Sequence, residues 1–113
     1  MSTRAPQDID IPTVTYRWDV YGQVPDMAVT PKRPGYTESE IPLHPGSVAV
    51  EVNPAGDIEV SITGQYVSPE GRLSRQNTTI RYRLVETEHV YSFDELPEWA
   101  RTRLDNAMRL VRK

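Results

Sequence analysis

The stretch SVAVEVNPAGDIEVSI, residues 47–62, decides the fold. Val48, Val50 and Val52 alternate with small or charged residues, and so do Ile58, Val60 and Ile62 after a short interruption. A period of two with β-branched side chains describes strands that bury one face. The interruption, Asn53-Pro54-Ala55-Gly56-Asp57, has the chemistry of a tight turn. Pro presets φ for a type I turn and Gly takes the left-handed position after it, which gives a hairpin with a G1 bulge. The register follows: Val52 opposite Ile58, Val50 opposite Val60, Val48 opposite Ile62. All six side chains then lie on one face, as a single-sided core requires.

Working outward, Ser68-Pro69-Glu70-Gly71-Arg72 repeats the same turn pattern. Extending the pairing evenly from it places Val60 opposite Ile80 and Ile58 opposite Tyr82. Upstream, Val14, Tyr16, Trp18 and Val20 alternate with Thr13, Thr15, Arg17 and Asp19, which is a further half-buried strand. Downstream, Ser92-Phe93-Asp94-Glu95 fits a capping box and Pro97 suits a first helical turn. Leu96, Ala100, Leu104, Ala107, Met108 and Val111 then recur at helical spacing, flanked by Trp99, with Arg101, Arg103, Arg109 and Arg112 outside the stripe.

The expected fold class is α+β: a four-stranded antiparallel β-meander, a long Pro-rich loop after the first strand, and one C-terminal amphipathic helix, about residues 95–112, packed on the sheet. Residues 1–12 read as a flexible N-terminal arm and residues 13–113 as a single domain. The loop, residues 22–46, contains Pro25, Pro31, Pro34, Pro42 and Pro45, which oppose a helix or a central strand. Val24, Met27, Val29, Ile41 and Leu43 are its candidate anchors. Its length lets the first strand pair with either the second or the fourth.

Composition narrows the function classes. The 113 residues are 37% hydrophobic, enough for one core, with a net charge of −3. That balance argues against a duplex nucleic-acid binder. The chain has no cysteine, hence no disulfide and no thiolate metal site. No apolar run approaches the ~18 residues of a membrane span, and residues 1–10 lack the apolar core of a secretory signal. The expected compartment is the cytoplasm, with a virion as the alternative.

Signals for catalysis are sparse. His44 and His89, the only histidines, lack metal-ligand spacing and read as surface residues. There is no Gly-rich phosphate loop and no nucleophile elbow. The carboxylate pairs Glu38 with Glu40 and Glu86 with Glu88 lie in polar segments where solvated charge is the ordinary explanation. The reading is a non-enzymatic protein without cofactor or metal.

Three surfaces are candidates for binding a partner. The first is the second hairpin, whose residues 63–77 are expected to project as a two-stranded arm bearing Gln65, Tyr66, Arg72, Arg75, Gln76 and Asn77. The competing expectation is a longer sheet whose extra length pairs with the first strand. The second is Pro31-Lys32-Arg33-Pro34, a Pro-x-x-Pro element with basic residues inside it, which nominates Lys32 and Arg33. The third is the Arg-bearing outer face of the helix.

The basic residues are nearly all Arg, only Lys32 and Lys113 being Lys, and ten prolines accompany them, as in a high-GC genome. With its terminal Leu96-Pro97-Glu98-Trp99-Ala100-Arg101 helix, the chain is similar to small accessory proteins of high-GC bacteria and their phages. The leading expectation is a small protein-binding accessory protein whose partner is another protein or itself. Alternatives are a structural component of a larger assembly such as a phage virion, and a nucleic-acid module using Arg72, Arg75, Arg81 and Arg83.

Overall fold

Both Pro-x-Gly turns form, and they carry the sheet. The computed structural model describes residues 13–32 and 40–111, so the expected N-terminal arm at 1–12 and Arg33 lie outside the described residues. At the first turn the Gly56 N–H donates to Asn53 O at 2.9 Å and the Asn53 N–H to Asp57 O at 3.0 Å. The Asn53 side-chain oxygen accepts two more N–H groups, from Ala55 at 3.0 Å and Asp57 at 2.9 Å. The second turn matches it, with Gly71 N–H to Ser68 O at 2.8 Å and Ser68 N–H to Arg72 O at 2.9 Å. Gly56 and Gly71 sit at φ of 90° and 83°, where a β-carbon is strained.

The elements run β1 (Val14–Asp19), β2 (Met27–Val29), β3 (Ile41–Val52), β4 (Ile58–Tyr66), β5 (Thr78–Arg83) and β6 (Tyr91–Ser92), then a short 3-10 helix (Phe93–Glu95) and helix α1 (Glu98–Val111). Sheet order is β1-β3-β4-β5-β6, with β2 beside the first residues of β3. The expected four-stranded antiparallel meander is therefore corrected to a six-stranded mixed sheet, because β6 joins β5 in parallel. Strand β1 pairs with β3, which settles its place.

The expected loop over residues 22–46 is also corrected. It contains β2 and the first six residues of β3. Two prolines inside a strand are tolerated for separate reasons. Pro42 faces solvent and uses only its carbonyl, which accepts the Val67 N–H at 2.9 Å. Pro45 sits at a bulge, where the register between β3 and β4 shifts before Ser47 and leaves Gly46 without a register partner in β4.

In the first hairpin Val52, Val50 and Val48 pair with Ile58, Val60 and Ile62, as read from the sequence. The second register is corrected by two residues: Val60 pairs with Tyr82 and Ile62 with Ile80. Near the turn the even pairing holds, at Val67 with Leu73. The slip arises between Ser74 and Asn77. There the Ser74 hydroxyl donates to Gln76 O at 3.1 Å and accepts the Gln76 N–H at 3.2 Å, bending the chain outward. A slip of two keeps every side chain on its face, so the core pattern survives.

Val48, Val50, Val60, Ile62, Ile80 and Tyr82 form the buried sheet face, and Leu96, Ala100, Leu104 and Ala107 cover it. The helix begins at Glu98, later than the expected residue 95. Leu96 precedes Pro97 and is held extended at ψ 135°, because the proline ring disfavours helical backbone in the residue before it. The Ser92 cap therefore serves the 3-10 helix, its hydroxyl accepting the Asp94 N–H at 3.1 Å. The Pro97 carbonyl opens α1, accepting Ala100 and Arg101 N–H groups, each at 3.0 Å.

No helix among the described residues is long and apolar enough to cross a membrane.

Candidate functional site

The second hairpin does not project as expected from residue 63. Thr63, Gly64, Gln65 and Tyr66 are all paired with β3, at Ser47, Pro45, His44 and Leu43. The competing expectation misplaces the partner as well, since the extra length pairs with the start of β3 instead of the first strand. Only the end beyond Tyr66 leaves the sheet. It is fastened by the Val67 N–H on Pro42 O and by the Ser74 N–H on Tyr66 O at 2.8 Å.

A groove of about 620 Å3 opens where this end meets the start of β3. Ile41 and Pro42 form one wall, and Tyr66, Val67, Pro69 and Leu73 the other, with Glu40, Glu70 and Arg72 at the rim. Leu73 is 38% exposed although its neighbours Arg72 and Ser74 are polar. Volumes of about 300–1,000 Å3 with apolar walls and a few polar groups are typical of ligand sites.

The structure distributes the sequence-nominated residues as follows. Tyr66 and Arg72 come together at the groove. Tyr66 is half-buried and packs on the core, so it is a supporting wall more than a free contact. The Gln65 amide donates to Ser74 O at 2.6 Å and holds the hairpin closed. Arg75, Gln76 and Asn77 are exposed on the outward bend, away from the groove lining. Lys32 is elsewhere: its ammonium pairs with Glu86 and sits 4.9 Å over the Tyr91 ring.

Sequence reasoning missed Ile41, Pro42, Val67, Pro69 and Leu73. One signal was available. Leu73 is a lone large apolar residue between Arg72 and Ser74-Arg75-Gln76, where a solvated arm has no use for it.

Of the four basic residues of the nucleic-acid alternative, Arg81 and Arg83 share one carboxylate, that of Glu59. Arg83 Nη2 and Glu59 Oε1 lie 2.8 Å apart, and Arg81 Nε is 3.7 Å from the other Glu59 oxygen. On the helix, Arg103 stacks 5.5 Å from the Trp18 ring and Arg101 donates to Phe93 O at 2.7 Å. His44, read as a surface residue, is half-buried, its Nδ1 at 2.7 Å from Asp26 Oδ1 and its ring edge-on to Tyr21 at 4.8 Å. Among the described residues no group of three His, Asp or Glu is placed to hold a metal ion.

Titration here concerns tyrosines. Burial, followed by the nearby Tyr91, Glu95 and Tyr66, pushes the Tyr82 hydroxyl well above its ordinary value. Burial also raises Tyr91, whose hydroxyl donates to Thr30 O and whose ring lies 5.6 Å from that of Tyr82. A raised value means that the folded state resists ionisation while the unfolded chain titrates near pH ~10. Stability from these groups is complete below about pH 10 and is lost as pH rises from there towards the folded values. Urea midpoints are expected to be level from about pH 7 to 9 and to fall steeply by about pH 11, with a smaller fall in Tyr82→Phe. An equal fall in both proteins would remove Tyr82 as the cause.

Compared with known proteins, the chain matches no family model, no curated protein and no solved structure.

Proposed function

We propose that this chain is a non-enzymatic protein-binding module that receives an apolar element of a partner in the groove between the start of β3 and the tip of the second hairpin. One observation carries the reading: an open groove with apolar walls at Ile41, Pro42, Val67 and Pro69 that leaves Leu73 part-exposed. Removing apolar surface from water stabilises a complex by roughly 25 cal/mol per Å2 before the costs of association. The groove is also set on fixed backbone, since Val67, Ser74 and the second turn are hydrogen-bonded to the sheet or to one another. Little ordering is then needed on binding. The pairing of Arg81 and Arg83 with Glu59 supports a protein partner over a nucleic acid.

Leu73→Ser tests this directly. A photo-crosslinking residue at position 70 is expected to join the folded chain to a partner in lysate of the source cells. The yield should fall about tenfold when Leu73 is Ser. The thermal midpoint should hardly move, because Leu73 lies outside the core. Undiminished crosslinking by Leu73→Ser would reject the groove. Tyr66 is a poor probe for the same purpose, since its replacement also disturbs the core.

A further inference from the structure

The groove does not stop at Pro42. A depression of about 330 Å3 shares Glu40 and Pro42 with it and extends over Ala28 to Asp26 and Met27. A third, of about 610 Å3, shares Asp26 and Met27 in turn and reaches Pro25, Pro97 and Trp99, with Glu98 and Thr102 beside them. The three adjoin along β2, from the hairpin tip to the start of α1. In its middle the path lies over the pairing of Ala28 in β2 with Pro42 in β3.

Charge distinguishes this path from an ordinary apolar cleft. Its lining carries Glu70, Glu40, Asp26 and Glu98 against a single guanidinium, Arg72. Asp26 also meets His44, yet its side chain remains 47% exposed. Between the acids the floor is apolar, at Ile41 and Pro42, at Met27, and at Pro97 with Trp99. Carboxylates spaced along an apolar floor favour cations spaced along an apolar chain, and complementary charge also speeds encounter. Ala28 and Pro42 are paired across β2 and β3 and are both exposed, so the path crosses the outer face of this ladder, a shallow surface that suits a segment arriving extended.

We propose that the three depressions act as one furrow, and that its occupant is an extended basic segment of a partner protein. Its apolar side chains seat against Leu73 and Trp99, and its Lys or Arg side chains meet Glu40, Asp26 and Glu98. The proposal rests on the reading of the Leu73 groove as a binding site and specifies what that site accepts.

The test uses the full chain and two labelled peptides, one alternating Arg with Leu and one with Glu replacing every Arg, followed by fluorescence anisotropy. The Arg–Leu peptide is expected to bind and the Glu–Leu peptide not. Glu40→Gln combined with Glu98→Gln should weaken binding about tenfold, as should a rise from low to near-physiological salt. Leu73→Ser should weaken it comparably. Equal binding of both peptides, or unchanged binding by the Glu40→Gln, Glu98→Gln chain, overturns the charge assignment. If Leu73→Ser still releases the peptide in that case, the groove reading stands without it. Absence of Arg–Leu binding overturns the inference, and the crosslink at position 70 then decides the groove reading separately.

Discussion

Gly64→Ala is expected to destabilise the protein by about 3 kcal/mol and to lower its thermal midpoint by roughly 12 °C or more. A β-carbon at Gly64 would lie 2.3 Å from His44 O and 3.0 Å from both His44 C and Pro45 Cα. All three are backbone atoms, so no side-chain rotation relieves the clash. The segment that must move is held from its other side by the pairing of Leu43 with Met27. The bulge beyond it is held as well, by the Val20 N–H on Gly46 O at 2.9 Å. Alanine's better strand propensity, about 0.5–1 kcal/mol, does not offset this. Gly46→Ala is the matched control, because its β-carbon would meet only Thr63 O, at 3.4 Å. Circular-dichroism melts should separate the two variants clearly. A Gly64→Ala chain within about 1 kcal/mol of the parent would mean that β3 and β4 are not packed this closely.

The same pair of glycines shows how far the sequence could be read. Gly56 and Gly71 announce themselves, because a Pro two residues earlier fixes the turn and each glycine's role is local. Gly46 and Gly64 have no such neighbours. Their roles depend on where β3 and β4 cross, which is a long-range fact. The alternation at 48–52 and 58–62, the turn chemistry and the apolar stripe of α1 were therefore legible. Prolines 42 and 45 hid the first half of β3, because the general rule against proline in a central strand carries no information about a bulge or a solvent-facing position. The slip at Ser74 was hidden for a related reason. It is made by one hydroxyl bonded to Gln76, and a two-residue slip leaves no mark on the hydrophobic pattern. The groove inherits both errors: one wall is the unread part of β3, and the other is a hairpin end placed differently from its even extrapolation.

Leu43→Ala is the second large effect, and it bears on that unread strand. Leu43 is fully buried, paired with Met27 on one side and Tyr66 on the other. Truncating such a leucine removes apolar burial and leaves a cavity, together about 3 kcal/mol within a usual range of 2–5. A leucine merely tacking down a loop would lose much less, about 1 kcal/mol. Val24→Ala supplies that comparison within the same chain, since Val24 is only part-buried in the connection between β1 and β2. Urea unfolding should show a large fall in midpoint for Leu43→Ala with little change in slope, and a small fall for Val24→Ala. Amide exchange then locates the damage. The Val67 N–H is bonded to Pro42 O, next to the new cavity, so its exchange should accelerate beyond what the global loss accounts for. Such local acceleration would make the start of β3 the fixed point from which the groove is hung. Val67 exchange tracking the global loss alone would mean that the groove wall opens only when the whole sheet does.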